Sequence, residues 1–204
     1  MAIRRVVMVL ASIALFAACG GHNSPSSEPH PGTTAESSVG ATVPGTRSTS
    51  GQGFISDFYE YAIESMDWTG TSAQTVWDGT GSPGDDDPAV DSLIGPNGER
   101  AFAFGQVTKA SLEEFVAAFR KATEKVHPCP TRLDARSRRA TIGGERAVLD
   151  ETTCPAPGGV FVLTALTVHS GRVYVFVTFD QPGDEANMRD WFNALLDQVS
   201  FISS

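Results

Sequence analysis

Two long apolar runs separated by a short turn constrain the fold more than any other feature of this sequence. The runs are "GVFVLTALTV", residues 159–168, and "RVYVFVTF", residues 172–179, and the turn between them is "HSG". Runs rich in valine and phenylalanine on either side of a small-residue turn are typical of a β-hairpin. Because both faces of each run are apolar, we expect the hairpin to lie centrally in a sheet that is covered on both sides.

Weaker patterns predict further strands around this hairpin. Tyr59, Tyr61 and Ile63 alternate as in a strand, although the spacing of Phe54, Phe58 and Tyr61 fits a helical turn equally well. The other predicted strands are "AQTVW" (73–77), "RAFAFGQV" (100–107), "RATI" (139–142) and "ERAVLDE" (145–151), the last two joined by Gly143-Gly144. Strands joined by short turns pair antiparallel, because parallel pairing requires long crossovers.

Two amphipathic helices are predicted, over residues 110–128 and 184–201. Ser111 and Glu114 have the spacing of a capping box, and Asp184 can cap the second helix. The apolar positions recur at steps of three, four and seven: Leu112, Phe115, Val116, Phe119 and Val126 in the first helix, and Met188, Trp191, Phe192, Leu195, Leu196 and Val199 in the second. The predicted fold class is therefore α+β, an antiparallel sheet packed with two main helices.

The first 18 residues have the layout of a secretory signal peptide. A basic start is followed by a short apolar run and by two alanines before Cys19. The apolar run is shorter than the roughly 20 residues that a transmembrane helix needs. The segment "LFAAC" resembles a bacterial lipobox, although Phe16 stands where leucine is usual. That resemblance implies cleavage before Cys19 and attachment of a diacylglycerol to its sulfur, which with further acylation anchors a protein stably.

Residues 19–53 are predicted to be a disordered tether, followed by one globular domain over residues 54–204. After Cys19 the tether consists mostly of Gly, Ser, Thr and Pro and has no aromatic residue, so it cannot bury enough apolar area to fold. A flexible chain of this length spans about 30–35 Å. The formal net charge of the whole chain is −9. This acidic balance disfavours nucleic acid as a partner, and the sequence indicates no cofactor.

Two cysteines remain after Cys19, and an even pair in an exported protein predicts a disulfide. Cys129 and Cys154 each lie beside proline, and their bridge would stabilise the fold by about 3–4 kcal/mol. A nucleophile pair of Cys129 with His127 is the weaker alternative.

Acidic and basic clusters supply the candidate binding residues. The glycine-rich loop "WDGTGSPGDDDPAVD" offers carboxylates to a hard cation such as calcium, but its spacing does not match an EF-hand, and a solvated loop is the alternative. These weak metal candidates are Asp78, Asp85, Asp86, Asp87 and Asp91. The stretch "RLDARSRRATIGGER" contains Arg132, Arg136, Arg138, Arg139 and Arg146. Among these, Arg136, Arg138 and Arg139 are the predicted partner-binding residues, with a charge-balancing loop as the alternative.

Several segments together resemble a group of actinobacterial secreted lipoproteins. They are "YAIESMDW", "VWDGTGSPGDDDPAVD", "HPCP", "TIGGERAVLDETTCP", "SGRVYVFVTFDQP" and "WFNALLDQVSF", and they cover nearly all of residues 55–202. The folded part of those lipoproteins is similar to the PsbP-type domain of photosystem II extrinsic proteins. The resemblance implies an antiparallel sheet between helices and a non-enzymatic binding or assembly role. It supplies no catalytic residue.

The sequence contains no recognisable hydrolase motif. G-x-S-x-G, S-x-x-K and H-E-x-x-H are all absent, and His169 and Ser170 lie in the hairpin turn without a group that would orient them. We therefore predict a lipid-anchored, non-catalytic binding or assembly module on the extracytoplasmic face of the cell membrane. Its expected partner is another envelope protein or a small amphiphile. The alternative is an envelope hydrolase with an unrecognised active site.

Overall fold

The computed structural model describes residues 53–65, 67–77, 87–126, 134–154 and 159–202. The predicted signal peptide and nearly all of the predicted tether lie outside these ranges. In chain order the elements are β1 (Ile55–Ser56), β2 (Tyr61–Ile63), β3 (Thr69–Thr71), β4 (Asp91–Ile94), β5 (Arg100–Val107), α1 (Leu112–Val126), β6 (Asp134–Ile142), β7 (Glu145–Cys154), β8 (Val160–His169), β9 (Arg172–Asp180), α2 (Glu185–Leu196) and β10 (Val199–Phe201). Neither of the two helices in the described part of the chain has the length and apolar character needed to cross a membrane.

Two antiparallel sheets organise the domain. The larger has seven strands in the order β3-β4-β5-β9-β8-β7-β6, and the smaller has the order β1-β2-β10. The β8–β9 hairpin lies in the middle of the larger sheet, as its apolar runs predicted. Ser170 and Gly171 form the two-residue turn between these strands with φ of 47° and 73°, which is the left-handed backbone that such a turn requires.

The two helices lie on opposite faces of the larger sheet. Asp150 and Glu151 are neighbours on β7, so their side chains point to opposite faces. Arg120 of α1 binds the carboxylate of Asp150, whereas Arg189 of α2 binds that of Glu151. The sheet is therefore enclosed between α1 on one face and α2 with the smaller sheet on the other. The predicted α+β fold, an antiparallel sheet between two helices, is confirmed.

Large aromatic side chains fill the space between the layers. Tyr61 of the smaller sheet contacts the rings of Tyr174 and Phe176 on β9 edge to face, with centroids 6.4 and 5.4 Å apart. Phe192 of α2 and Phe115 of α1 are almost completely buried on the two faces. A central strand of a sheet that is covered on both faces needs apolar residues on both sides, as β9 has.

The helix starts follow the sequence prediction only in part. The capping box of α1 is confirmed, because the Ser111 N–H donates to Glu114 Oε2 and the Glu114 N–H donates to Ser111 Oγ. Asp184 occupies the N-cap position of α2, but its carboxylate makes no capping bond to the backbone. It accepts a hydrogen bond from the Asn187 side chain instead, at 2.9 Å. The predicted cap by Asp184 is therefore wrong.

Two strand predictions and one helix boundary are corrected by tertiary contacts. Residues 73–77 form no strand, because the N–H groups of Gln74 and Thr75 both donate to the carbonyl of Pro88. The second helix ends at Leu196, and residues 199–201 form β10, which pairs with β2. Near the start of the domain, Tyr61 and Ile63 lie in β2, whereas Tyr59 belongs to the preceding turn.

Candidate functional site

Strand β6 forms one edge of the larger sheet. The turn that joins it to β7 determines which of its backbone N–H and C=O groups point away from β7. It joins β7 through the two-residue turn Gly143-Gly144, so the flanking residues Ile142 and Glu145 form a pair that exchanges both hydrogen bonds. Alternate residues of β6 therefore direct their N–H and C=O groups away from β7: Ala135, Ser137, Arg139 and Thr141. Within the described ranges, no strand pairs with this outer side.

Three arginines converge beside this edge on the face that carries α2. Arg136 and Arg138 come from β6, Arg189 comes from α2, and Glu151 of β7 lies among them. We call this surface the arginine cleft. It has a volume of about 590 Å³ and is lined by Arg136, Ser137, Arg138, Glu151 and Arg189.

The described side chains that line the arginine cleft include three guanidinium groups and one carboxylate. Arg189 Nε donates to Glu151 Oε2 at 2.9 Å, and its guanidinium lies 5.0 Å above the centre of the Phe161 ring. Arg138 Nη2 donates to Asn193 Oδ1 at 2.6 Å, a neutral acceptor that leaves its charge uncompensated by that bond. Arg136 lies directly opposite Glu151 in the strand register. The formal charges of these four described lining residues sum to +2 (3 − 1).

The predicted arginine cluster is divided between the two faces of the sheet. Arg139 follows Arg138 along β6, so its side chain lies on the α1 face, where Arg146 Nη2 binds Glu113 Oε1 at 2.7 Å. Arg132 lies outside the described residues. On the same face Arg120 makes a two-point contact with Asp150 at 2.8 and 2.7 Å, and this contact raises the pKa of the arginine.

Sequence reasoning missed Arg189 and Glu151, which complete the cleft. They are 38 residues apart in the chain, and neither belongs to a local pattern that includes Arg136 or Arg138. Only the placement of α2 across β6 and β7 brings the four side chains together. Arg189 and Glu151 could have been predicted as cleft residues only if the strand order had been known.

The predicted acidic metal candidates do not act as one group in the described residues. Asp78, Asp85 and Asp86 lie outside the described ranges. Asp87 accepts a hydrogen bond from the Ala89 N–H at 2.8 Å, which is the turn-forming role that the solvated-loop alternative implied. Asp91 is completely buried. In the part of the chain that the structure describes, no three His, Cys, Asp or Glu side chains are grouped as metal ligands would be.

Asp91 instead forms the centre of a buried polar cluster. Its Oδ1 accepts a hydrogen bond from the Ala73 N–H at 2.6 Å, and the side chains of Ser56, Tyr61 and Ser72 surround it. Burial raises the pKa of the Asp91 carboxyl, although the bond from Ala73 opposes this shift. Burial also raises the pKa of the Tyr61 phenol well above its usual value.

The tip of the β8–β9 hairpin and the start of β7 bring together a line of three polar groups that the sequence did not predict. His169 Nδ1 lies 2.9 Å from Glu145 Oε1, and Ser170 Oγ lies 3.1 Å from His169 Nε2. Glu145 thus supplies the orienting group that the sequence analysis expected to be missing. His169 stacks on Phe201, with ring centroids 4.7 Å apart, and Ser170 is exposed at the tip of the turn.

The cysteine predictions fall largely on residues that the structure does not describe. Cys19 and Cys129 lie outside the described ranges, and Cys154 is the last residue of β7. The disulfide and the lipidation therefore stay predictions.

The described residues thus form a three-layer α+β domain with a cationic cleft at one edge of its sheet. No family model matches the chain, and no curated protein matches it either. Its structure is similar to the solution structure of cyanobacterial PsbP (CyanoP) from Synechocystis sp. PCC 6803, at 12% identity and a TM-score of 0.45, over 72% of this chain and 90% of that one. It is also similar to the crystal structure of LpqN, involved in cell envelope biogenesis of Mycobacterium tuberculosis, at 11% identity and a TM-score of 0.39, over 70% and 83%.

Proposed function

We propose that this chain is an exported, lipid-anchored envelope protein whose α+β domain is a non-catalytic binding module for an anionic partner. The observation that carries the proposal is the arginine cleft, where three guanidinium groups face one carboxylate. The chain as a whole is acidic, with a net charge of −9. A local positive surface on such a protein attracts an anion, whereas the acidic remainder of the surface repels it.

The geometry of the cleft favours carboxylate or phosphate groups as ligands. Arginine presents a planar set of donors that matches both groups with two parallel hydrogen bonds. The Phe161 ring beneath Arg189 and the side chain of Asn193 hold two of the guanidinium groups in place. Pre-positioned donors lose less side-chain entropy when a partner binds. An envelope protein with an acidic surface, or an amphiphile with an anionic headgroup, meets these requirements.

Crosslinking in the native envelope tests the cleft as a partner site. The full chain would be compared with an Arg136→Glu/Arg138→Glu variant and with a control that reverses Lys109 and Lys121, two exposed lysines away from the cleft. We expect specific crosslinked partners to be lost in the arginine variant and retained in the lysine control. Identical partners in all three proteins would contradict the proposal.

The predicted anchor has an independent test. Cys19 would carry the lipid, and residues 19–53 would separate the domain from the membrane surface. Metabolic labelling with an alkyne fatty acid should mark the wild-type chain and leave Cys19→Ala unlabelled and released from membranes. Retention of residues 1–18 on an unmodified, water-soluble chain would refute export and anchoring together.

A second candidate function, an envelope hydrolase, is favoured by the arrangement of Glu145, His169 and Ser170. In an ester hydrolysis Ser170 Oγ would attack the carbonyl carbon while its proton passes to His169 Nε2. That proton would then leave with the alcohol, and water would release the acyl group from the serine. A fluorophosphonate probe distinguishes the candidates: labelling that Ser170→Ala and His169→Ala both abolish would establish the hydrolase, whereas an unlabelled wild-type chain favours the binding module.

A further inference from the structure

We infer that the anionic partner is an extended acidic segment of another protein, which adds to the outer side of β6 as an eighth strand of the larger sheet. This inference rests on the proposed function, since it assigns the mode by which the cleft would bind its partner. Addition of a strand to a sheet edge is a common way in which domains bind extended peptides.

The first observation is the length of the edge that β6 leaves unpaired among the described strands. β6 has nine residues, and its outward N–H and C=O groups recur at every second residue from Ala135 to Thr141. At the opposite edge of the sheet, β3 has only three residues. Short edge strands discourage pairing with other chains, whereas a long edge is a template for it. Of the two edges that this sheet has in the described part of the chain, the β6 edge is the one long enough to hold a peptide by a ladder of main-chain bonds.

The second observation is the charge on both faces beside this edge. Arg136 and Arg138 lie on the α2 face, and Arg139 lies on the α1 face. An added strand would point alternate side chains to the two faces. Acidic residues at either set of alternate positions would therefore meet arginine, and cross-strand pairs of opposite charge stabilise a sheet. The main chain would supply affinity and the arginines would select acidic sequences.

The same charges disfavour a second copy of this chain as the occupant. Two β6 strands paired edge to edge would bring the arginines of both copies together, and like charges on adjacent strands are destabilising. Charged side chains on an edge strand also serve in many proteins only to prevent association. If the arginines of β6 have only that protective role, no strand should bind this edge. The peptide-binding experiment below distinguishes this role from strand addition.

The test uses the full chain purified from membranes in detergent, with two probes. One probe is a nine-residue peptide in which glutamate alternates with threonine and valine, and the other is inorganic phosphate. Residue-resolved amide exchange by NMR reports strand addition directly. We expect the peptide to slow exchange of the Ser137, Arg139 and Thr141 amides, which point outward. An Arg136→Gln/Arg138→Gln variant should bind the peptide about tenfold more weakly, because charge-assisted bonds are lost.

Matched controls separate failure of the inference from failure of the proposed function. A Lys109→Gln/Lys121→Gln variant loses the same charge and should bind the peptide as the wild-type chain does. Peptide binding that depends on the arginines but leaves the three outward amides unprotected would refute strand addition and support the anion-binding function. Phosphate binding without peptide binding would also refute strand addition and support the anion-binding function. Absence of both would refute both, and concentration-dependent dimerisation with mutual protection of β6 would identify a second copy as the occupant.

Discussion

The buried carboxyl of Asp91 provides the most discriminating test of the packing described above. Two substitutions separate its hydrogen bond from its charge. Asp91→Asn retains the side-chain shape and an oxygen that can accept the bond from the Ala73 N–H. Asp91→Ala removes the acceptor and leaves a buried N–H without a partner.

The expected magnitude follows from that unpaired donor. A buried polar group that loses its hydrogen-bond partner costs about 1–3 kcal/mol, and the small cavity adds to this cost. We expect Asp91→Ala to be less stable than Asp91→Asn by about 2 kcal/mol in the free energy of unfolding. Both variants lack the charge, so the comparison is independent of carboxylate burial. Urea denaturation followed by tryptophan fluorescence measures the difference.

The pH dependence tests the raised pKa of Asp91. A carboxyl whose pKa is higher in the folded state binds its proton more tightly there, so folding is favoured most at acidic pH. The stability of the wild-type chain relative to Asp91→Asn should therefore fall as the pH rises from about 4 through the folded-state pKa. The difference should then become constant. A difference that does not change with pH, or that increases with pH, would refute the assignment of Asp91 as a carboxyl destabilised by burial.

Three further substitutions test separate parts of the fold by urea denaturation. Ser111→Ala removes the side chain that caps α1 and should cost about 1 kcal/mol, and an unchanged midpoint would show that the capping box contributes nothing. Phe192→Ala should cost about 3–5 kcal/mol because the ring is fully buried under α2, and a loss below 1 kcal/mol would contradict this packing. Arg146→Gln should change stability by less than about 1 kcal/mol, since the ion pair of Arg146 with Glu113 is exposed, and a larger loss would indicate a contact not described above.

Local patterns were sufficient to predict most of the regular structure. The capping box at Ser111, the central β8–β9 hairpin and the Gly143-Gly144 turn depend on residues within a few positions of one another. Two of the failures have a shared cause in contacts from distant parts of the chain. Val199 continues the apolar spacing of α2, yet it lies in β10 because β2 provides a strand to pair with. Residues 73–77 alternate like a strand, but the carbonyl of Pro88 takes two of their N–H groups.

The candidate site shows the same division. Sequence alone selected Arg136 and Arg138, because arginines are conspicuous in an acidic chain. Hydrophobic periodicity and short turns predicted an antiparallel sheet packed with two helices, and the family resemblance implied that the sheet lies between them. Only the tertiary structure shows that Arg139 lies on the opposite face and that Arg189 and Glu151 lie in the cleft. It also shows that the long edge of β6 has no partner among the described strands. The physical reason is that periodicity determines which way each side chain points, whereas strand order and helix placement determine what it meets.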